Sequence, residues 1–149
     1  MGTRATVTVF EDNKPLVTIY RQMDGYLTGL GQDIKDALNG GDVRIGNGYS
    51  TGDATPKAFN GMGCMAAYLI GKLKGSDIGS VYIQPAGELK KVHGGKSWTN
   101  YAYQLHLSGK PDVGGILTLK AWGSDLKKPL YDGPLAEFDA KALSKKEED

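Results

Sequence analysis

The segment YRQMDGY, residues 20–26, gathers Tyr20, Arg21, Gln22, Asp24 and Tyr26 around Gly25. Aromatic rings, a guanidinium, an amide and a carboxylate are the groups that stack a base and hold a phosphate or hydroxyls. A plainer reading competes: Asp24 and Gly25 make a turn, Arg21 pairs with Asp24, and the tyrosines cover the core. A second stretch, NGMGCMAAYLIGKL at residues 60–73, opens with Asn60, Gly61 and Gly63. Free amides at a helix start bind anions. Glycine costs roughly 1 kcal/mol against alanine inside a helix, so Gly61, Gly63 and Gly71 need a reason. Close approach of another backbone or of a ligand would supply one. Gly61 and Gly63 lie about 200° apart around a helix, which turns one toward the sheet and the other toward the preceding loop.

Other chemistries fit less well. Gly94-Gly95-Lys96-Ser97 resembles the end of a phosphate-binding loop, but residue 90 is lysine and a strand-like SWTNYAYQLHL follows where a helix is required. A nucleophilic Cys64 would need His93 or His106 as base and an electropositive setting. Its place in an apolar helix predicts a buried small residue instead. His106 alternates with Tyr103, Leu105 and Leu107, which predicts an exposed ring. Asp33 and Asp36 read as a solvated helix face. With 2 histidines and 1 cysteine, no catalytic metal, disulfide or cofactor is expected. Trp98, Tyr101 and Tyr103 offer stacking surface, but the net charge of +1 argues against a long nucleic acid.

These residues must be positioned by local elements. Residues 3–10 alternate as a half-buried strand, with Thr3, Ala5, Val7 and Val9 on one face. EDNKP is a turn, and residues 16–22 return as a second strand of a hairpin. Leu27, Leu30, Ile34, Ala37 and Leu38 share one helical face, and Asn39-Gly40-Gly41 stops that helix. A loop carrying Gly46, Gly48 and Gly52 follows. The second helix begins either at Thr55-Pro56 or at Asn60 as N-cap. Its apolar face is Phe59, Met62, Ala66, Leu69, Ile70 and Leu73, and Gly75 ends it. Residues 80–84, 101–107 and 115–122 read as strands. Residues 134–143 read as a short final helix with Leu135, Phe138 and Ala142 inward. The order ββααβββα predicts an α+β fold, a mainly antiparallel sheet with the two main helices on one face.

The 149 residues, 40% hydrophobic and 23% charged, suit one domain over residues 1–143 with a charged, frayed tail at 144–149. No apolar run reaches membrane-spanning length, and the N-terminus lacks an apolar signal stretch. A cytoplasmic location is the expectation.

At MGTRATVTVF, IYRQMDGY and NGMGCMAAYLI the chain resembles a group of small uncharacterised phage and prophage proteins. The shared pattern is a GTR strand, YRQxDGY, and NGxGC opening a helix. The resemblance covers about the first half and picks out Arg4, Tyr20, Arg21, Gln22, Asp24, Gly25, Tyr26, Asn60, Gly61, Gly63 and Cys64. If the first strands pair, Arg4 and Arg21 approach Asp24 and Tyr26, and the start of the second helix approaches the same end of the sheet. Such a pocket suits a small anionic, nucleotide-like ligand. The resemblance implies a non-enzymatic phage-type protein, host-cytoplasmic, sequestering a nucleotide immune signal. Two other readings stay open: a protein-binding module inhibiting a host protein, and a small hydrolase using Asp24 or Cys64. A homodimer or higher oligomer is compatible with a small sheet that has free edges.

Overall fold

Strand β1 (Ala5–Glu11) turns into β2 (Lys14–Arg21) through Asp12 and Asn13. Both turn residues are left-handed, with φ of 51° and 63°. That pair matches the twist of an antiparallel hairpin, and Asp and Asn tolerate it best among non-glycine residues. The structure is a computed structural model that describes residues 2–38, 42–44, 58–76, 78–93, 99–109 and 115–148. Residues 45–57, which hold Gly46, Gly48 and Gly52 of the loop read at 42–54, lie outside the described residues, as do the helix stop at 39–41 and the 94–98 segment with Trp98, while residues 42–44 of that loop are a strand.

After β2 the chain makes one π-helical turn, Leu27–Gly31, and continues as α1 (Gln32–Leu38). Short strands β3 (Asp42–Arg44) and β4 (Ala58–Asn60) pair in parallel, an element the sequence pattern did not reveal. Helix α2 (Gly61–Lys74) starts directly after β4, so the Asn60 boundary holds and a start at Thr55-Pro56 does not. Asn60 is the N-cap residue but makes no side-chain cap hydrogen bond. Gly75, at φ 53°, closes the helix as read.

Then come β5 (Val81–Gln84), α3 (Leu89–His93), β6 (Tyr101–Ser108), β7 (Ile116–Trp122) and β8 (Tyr131–Pro134). The expected final helix is broken. A 3-10 turn, Leu135–Glu137, precedes α4 (Ala140–Glu148), which Asp139 caps through a 3.2 Å bond from the Ala142 N–H to Oδ1. The break shifts the helical phase. Leu135 and Phe138 are buried as expected, but Ala140 takes the inward place and Ala142 is exposed. The charged segment read as a frayed tail is helical through residue 148.

The fold is α+β. Its six-stranded sheet has the order β5-β2-β1-β6-β7-β8, antiparallel throughout except where β1 and β6 run parallel. Two antiparallel units thus meet along β1. Ala5, Val7 and Val9 face the core with Ile19, Tyr103, Leu105 and Leu119, under Leu30 and Ile34 of the first helical segment and Met65 and Leu69 of α2. Strand β1 is not half-buried: Thr6 and Thr8, on its other face, are buried too. Helix α3, whose Val92 and His93 are buried, lies against β1 and β6. The Thr8 and Thr18 hydroxyls satisfy each other at 3.0 Å.

Candidate functional site

The YRQMDGY corner is held together by its own polar groups. Arg21 donates to Asp33 Oδ2 at 2.6 Å and to the Met23 carbonyl at 2.9 Å. Its partner is therefore Asp33, not Asp24, and Asp33 is no simple solvated face. Asp24 is left-handed, at φ 56°. Its carboxylate accepts from the Tyr26 hydroxyl at 3.1 Å, and its carbonyl accepts from the Leu30 N–H at 2.8 Å. The bond to Asp24 holds the Tyr26 phenol above its ordinary pKa. Gly25 is buried and has no room for a side chain: a Cβ would lie 2.6 Å from the Ala5 Cβ and 2.9 Å from the Thr3 carbonyl. Its own carbonyl accepts from the Tyr103 hydroxyl at 2.7 Å.

The rest of the cluster gathers nearby. Ala5 pairs with Arg21, which puts Arg4 at the same end of the sheet. The Arg4 carbonyl accepts from the Asn100 N–H at 2.7 Å. Tyr20 leans on Tyr82, ring centroids 6.1 Å apart. Gln22 is exposed and ties its N–H to the Ser80 carbonyl at 2.8 Å. Arg4, Tyr20, Arg21, Gln22, Asp24 and Tyr26 thus share one end of the molecule, as the pairing of the first strands implied.

Gly61 is elsewhere. It borders a cleft of about 420 Å³ at the hairpin tip, with Phe10, Glu11, Asp12 and Asn13 on one side and Met62 beside it. His106, Leu107 and Gly109 complete the lining. Strand β1 separates this cleft from the Arg21 corner, and its seven residues span roughly 20 Å. The expectation that the start of α2 approaches the Arg21 corner is therefore overturned. The cause is tertiary: the Gly115 N–H binds the Val43 carbonyl at 3.3 Å, pinning the β3–β4 pair, and so the start of α2, at the Ser108–Ile116 end of the sheet. It is the far end of α2 that nears the corner. There Lys74 Nζ donates to the Ile78, Gly79 and Val81 carbonyls, 5.5 Å from the Tyr82 ring centroid. Asn60 immediately precedes Gly61, and Gly63 is exposed one half-turn on.

The cleft has distinct chemistry on each wall. Phe10 and His106 stack with centroids 4.3 Å apart and planes 15° off parallel. His106 is thus half-buried rather than exposed. Burial lowers its pKa, Lys120 adds to that, and Asp132 opposes it. Its Nε2 lies 2.9 Å from Gln104 Oε1. Glu11 and Asp12 bring carboxylates. The start of α2 brings main-chain amides with no side-chain cap and no acidic residue in the first turn, an arrangement that favours an anion. Sequence reading missed Phe10, Glu11, Asp12, Met62 and His106 as neighbours. Only the alternation of His106 with Leu105 and Leu107 hinted that it sits apart from the core.

Cys64 is exposed, contrary to expectation, because α2 turns Met62, Met65 and Leu69 inward instead. The histidines are engaged elsewhere: His106 with Gln104 and Phe10, and buried His93 with the Thr99 hydroxyl and, at 3.0 Å, the Gly123 carbonyl. Among the described residues no group of His, Cys, Asp and Glu forms a metal-binding cluster, and no helix is long and apolar enough to cross a membrane. No family model, curated protein or solved structure matches the chain.

Proposed function

We propose that the protein is a non-enzymatic, phage-type binding protein for a small anionic, nucleotide-like ligand, with sequestration of a host immune signal as its role. The observation that carries this reading is the cleft at the hairpin tip. Its volume of about 420 Å³ is within the range of small-molecule sites. Phe10 and Leu107 offer an apolar wall to a flat ring. Glu11 and Asp12 accept from ribose hydroxyls, and the first amides of α2 receive a phosphate. The resemblance of the GTR, YRQxDGY and NGxGC segments to phage proteins supports the biological setting. The corner around Arg21 serves in this reading as the framework that fixes β1 and β2.

Native mass spectrometry of protein from defence-activated cells tests the proposal. A nucleotide released intact and in stoichiometric amount is expected, while a chemically altered ligand would overturn the non-enzymatic role. His106→Ala is expected to weaken binding about tenfold or more, on the scale of a lost ring contact. Loss of binding in Arg21→Ala with His106→Ala unaffected would move the site to the corner. A second reading, a module that inhibits a host protein, is favoured by the exposed apolar side chains Ile78 (97%), Ile83 (65%) and Tyr82 (48%). A pull-down returning one stoichiometric host protein that Ile83→Asp abolishes would support it.

A further inference from the structure

Strand β5 is one edge of the six-stranded sheet, and among the described residues no strand pairs with its outer side. The Gln22 N–H bonds the Ser80 carbonyl at 2.8 Å. Hydrogen-bonded pairs recur at every second residue of an antiparallel ladder. In the register of β5 with β2, Tyr82 and Gln84 therefore turn their main-chain groups inward, and Val81 and Ile83 turn theirs outward. Such an edge is a template for another strand. Here half of it is occupied. Lys74, the last residue of α2, donates to the Val81 carbonyl at 3.0 Å, and to the Gly79 and Ile78 carbonyls at 3.2 and 2.9 Å. An ammonium carries three N–H donors, and here each has a carbonyl to bind. The Val81 N–H turns back to the Gly79 carbonyl at 3.0 Å across Ser80, whose φ is 76°. Lys74 thus grips both ends of a strained turn. Past the strand, Pro85 stands at the next outward position and has no N–H.

We propose that Lys74 is an edge guard that keeps β5 from pairing with β5 of a second copy of this chain. The chemistry of the edge selects that occupant. Val81, Tyr82, Ile83 and Gln84 carry no charge, so two copies meet without repulsion. Ile83 is mostly exposed although its cross-strand neighbour Ile19 is fully buried. With Val81 released, a two-fold antiparallel partner sets Val81 against Ile83 of the second copy on both sides of a central Tyr82 pair, each pair exchanging both of its N–H···O bonds. With Lys74 in place the Val81 groups are taken, and Ile83 alone within β5 keeps its outward groups for a partner, among the described residues. The other edge of the sheet is blunted by similar means. In β8, Pro134 has no N–H, and its carbonyl accepts from the Tyr131 hydroxyl at 2.6 Å.

Sedimentation velocity of the full chain, with amide exchange read by NMR, tests the guard. In the unsubstituted protein the Ile83 N–H is expected to exchange fast at every protein concentration, and those of Tyr82 and Gln84 slowly. Lys74→Met is expected to shift the sedimentation coefficient upward as concentration rises, and to slow exchange at Ile83 in step. Ile83→Pro removes an outward N–H and spares the bonds to β2. Lys74→Met combined with Ile83→Pro is therefore expected to sediment like the unsubstituted protein. If Lys74→Met fails to fold, Lys74→Gln takes its place with the same expectation, since its shorter, neutral amide keeps a donor for the turn but cannot span all the carbonyls. Association that persists in the Ile83→Pro combination would give Lys74 a merely structural role and overturn the proposal. A folded Lys74 variant that sediments like the unsubstituted protein overturns it too. So does protection of the Ile83 N–H that grows with concentration while Lys74 is intact.

Discussion

Gly61, Gly63 and Gly71 share one helix but are there for different reasons. Gly61 has φ of +84°, a conformation in which an L side chain is strained by about 1–2 kcal/mol. At Gly63 and Gly71 no described atom other than the chain neighbours and the backbone of their own helix lies within 4 Å of where a Cβ would lie. The close approach expected at these glycines is therefore absent among the described residues, and only the conformational reason survives, at one position. Gly63→Ala and Gly71→Ala should each stabilise the protein by up to about 1 kcal/mol, while Gly61→Ala should destabilise it by a similar amount. Urea unfolding midpoints of the three variants decide this. Destabilisation by alanine at 63 or 71 would mean that something covers that face of α2.

At the scale of elements, the junction from β2 to α1 is a clamp. The Arg21 side chain is 15% exposed and that of Asp33 47%, so the pair is only partly screened. A double-mutant cycle of Arg21→Ala and Asp33→Ala should give a coupling of about 1 kcal/mol. A value near zero would reduce Arg21 to its bond with the Met23 carbonyl. Tyr103→Phe removes the donor to the buried Gly25 carbonyl and should cost about 1–3 kcal/mol, because that oxygen then lacks this partner. Thermal unfolding of Tyr103→Phe checks it. The corner was legible in the sequence as a polar turn, since Asp-Gly punctuation is local. Its ion pair was not, since Asp33 reaches Arg21 only once the π-helical turn has set the start of α1.

For the whole molecule, the two histidines make stability depend on pH. Burial lowers the pKa of His93 first of all, and likewise that of His106. The unfolded chain takes up these protons near the ordinary value of about 6.5, and the folded chain only at lower pH. Between the two the unfolded state binds more protons, so the contribution is complete above about pH 6.5 and is lost as pH falls toward the folded values. Denaturation free energies at about pH 7.5 and about pH 5.5 should show the decline, with a smaller decline in His93→Gln. A flat profile would mean that neither ring is neutral in the fold for the reason given.

The sequence by itself determined the elements whose cause is local. Alternation marked β1 and β6, β2 followed as the return strand of a hairpin whose turn Asp12-Asn13 set, Gly75 stopped α2, and the order of strands and helices gave the α+β class. Periodicity says which side chains share a face, but not which strand lies alongside or which end of the sheet a helix enters. Tertiary structure alone therefore decided that β1 pairs in parallel with β6, and that Thr6 and Thr8 are buried as deeply as Val7. It also decided that Gly61 lies at the hairpin tip, roughly 20 Å from Arg21 by the rise of an extended strand. The cleft joins residues 10–13, 61–62 and 106, 107 and 109, three segments brought together by strand pairing and by the Val43–Gly115 bridge, which no local pattern encodes.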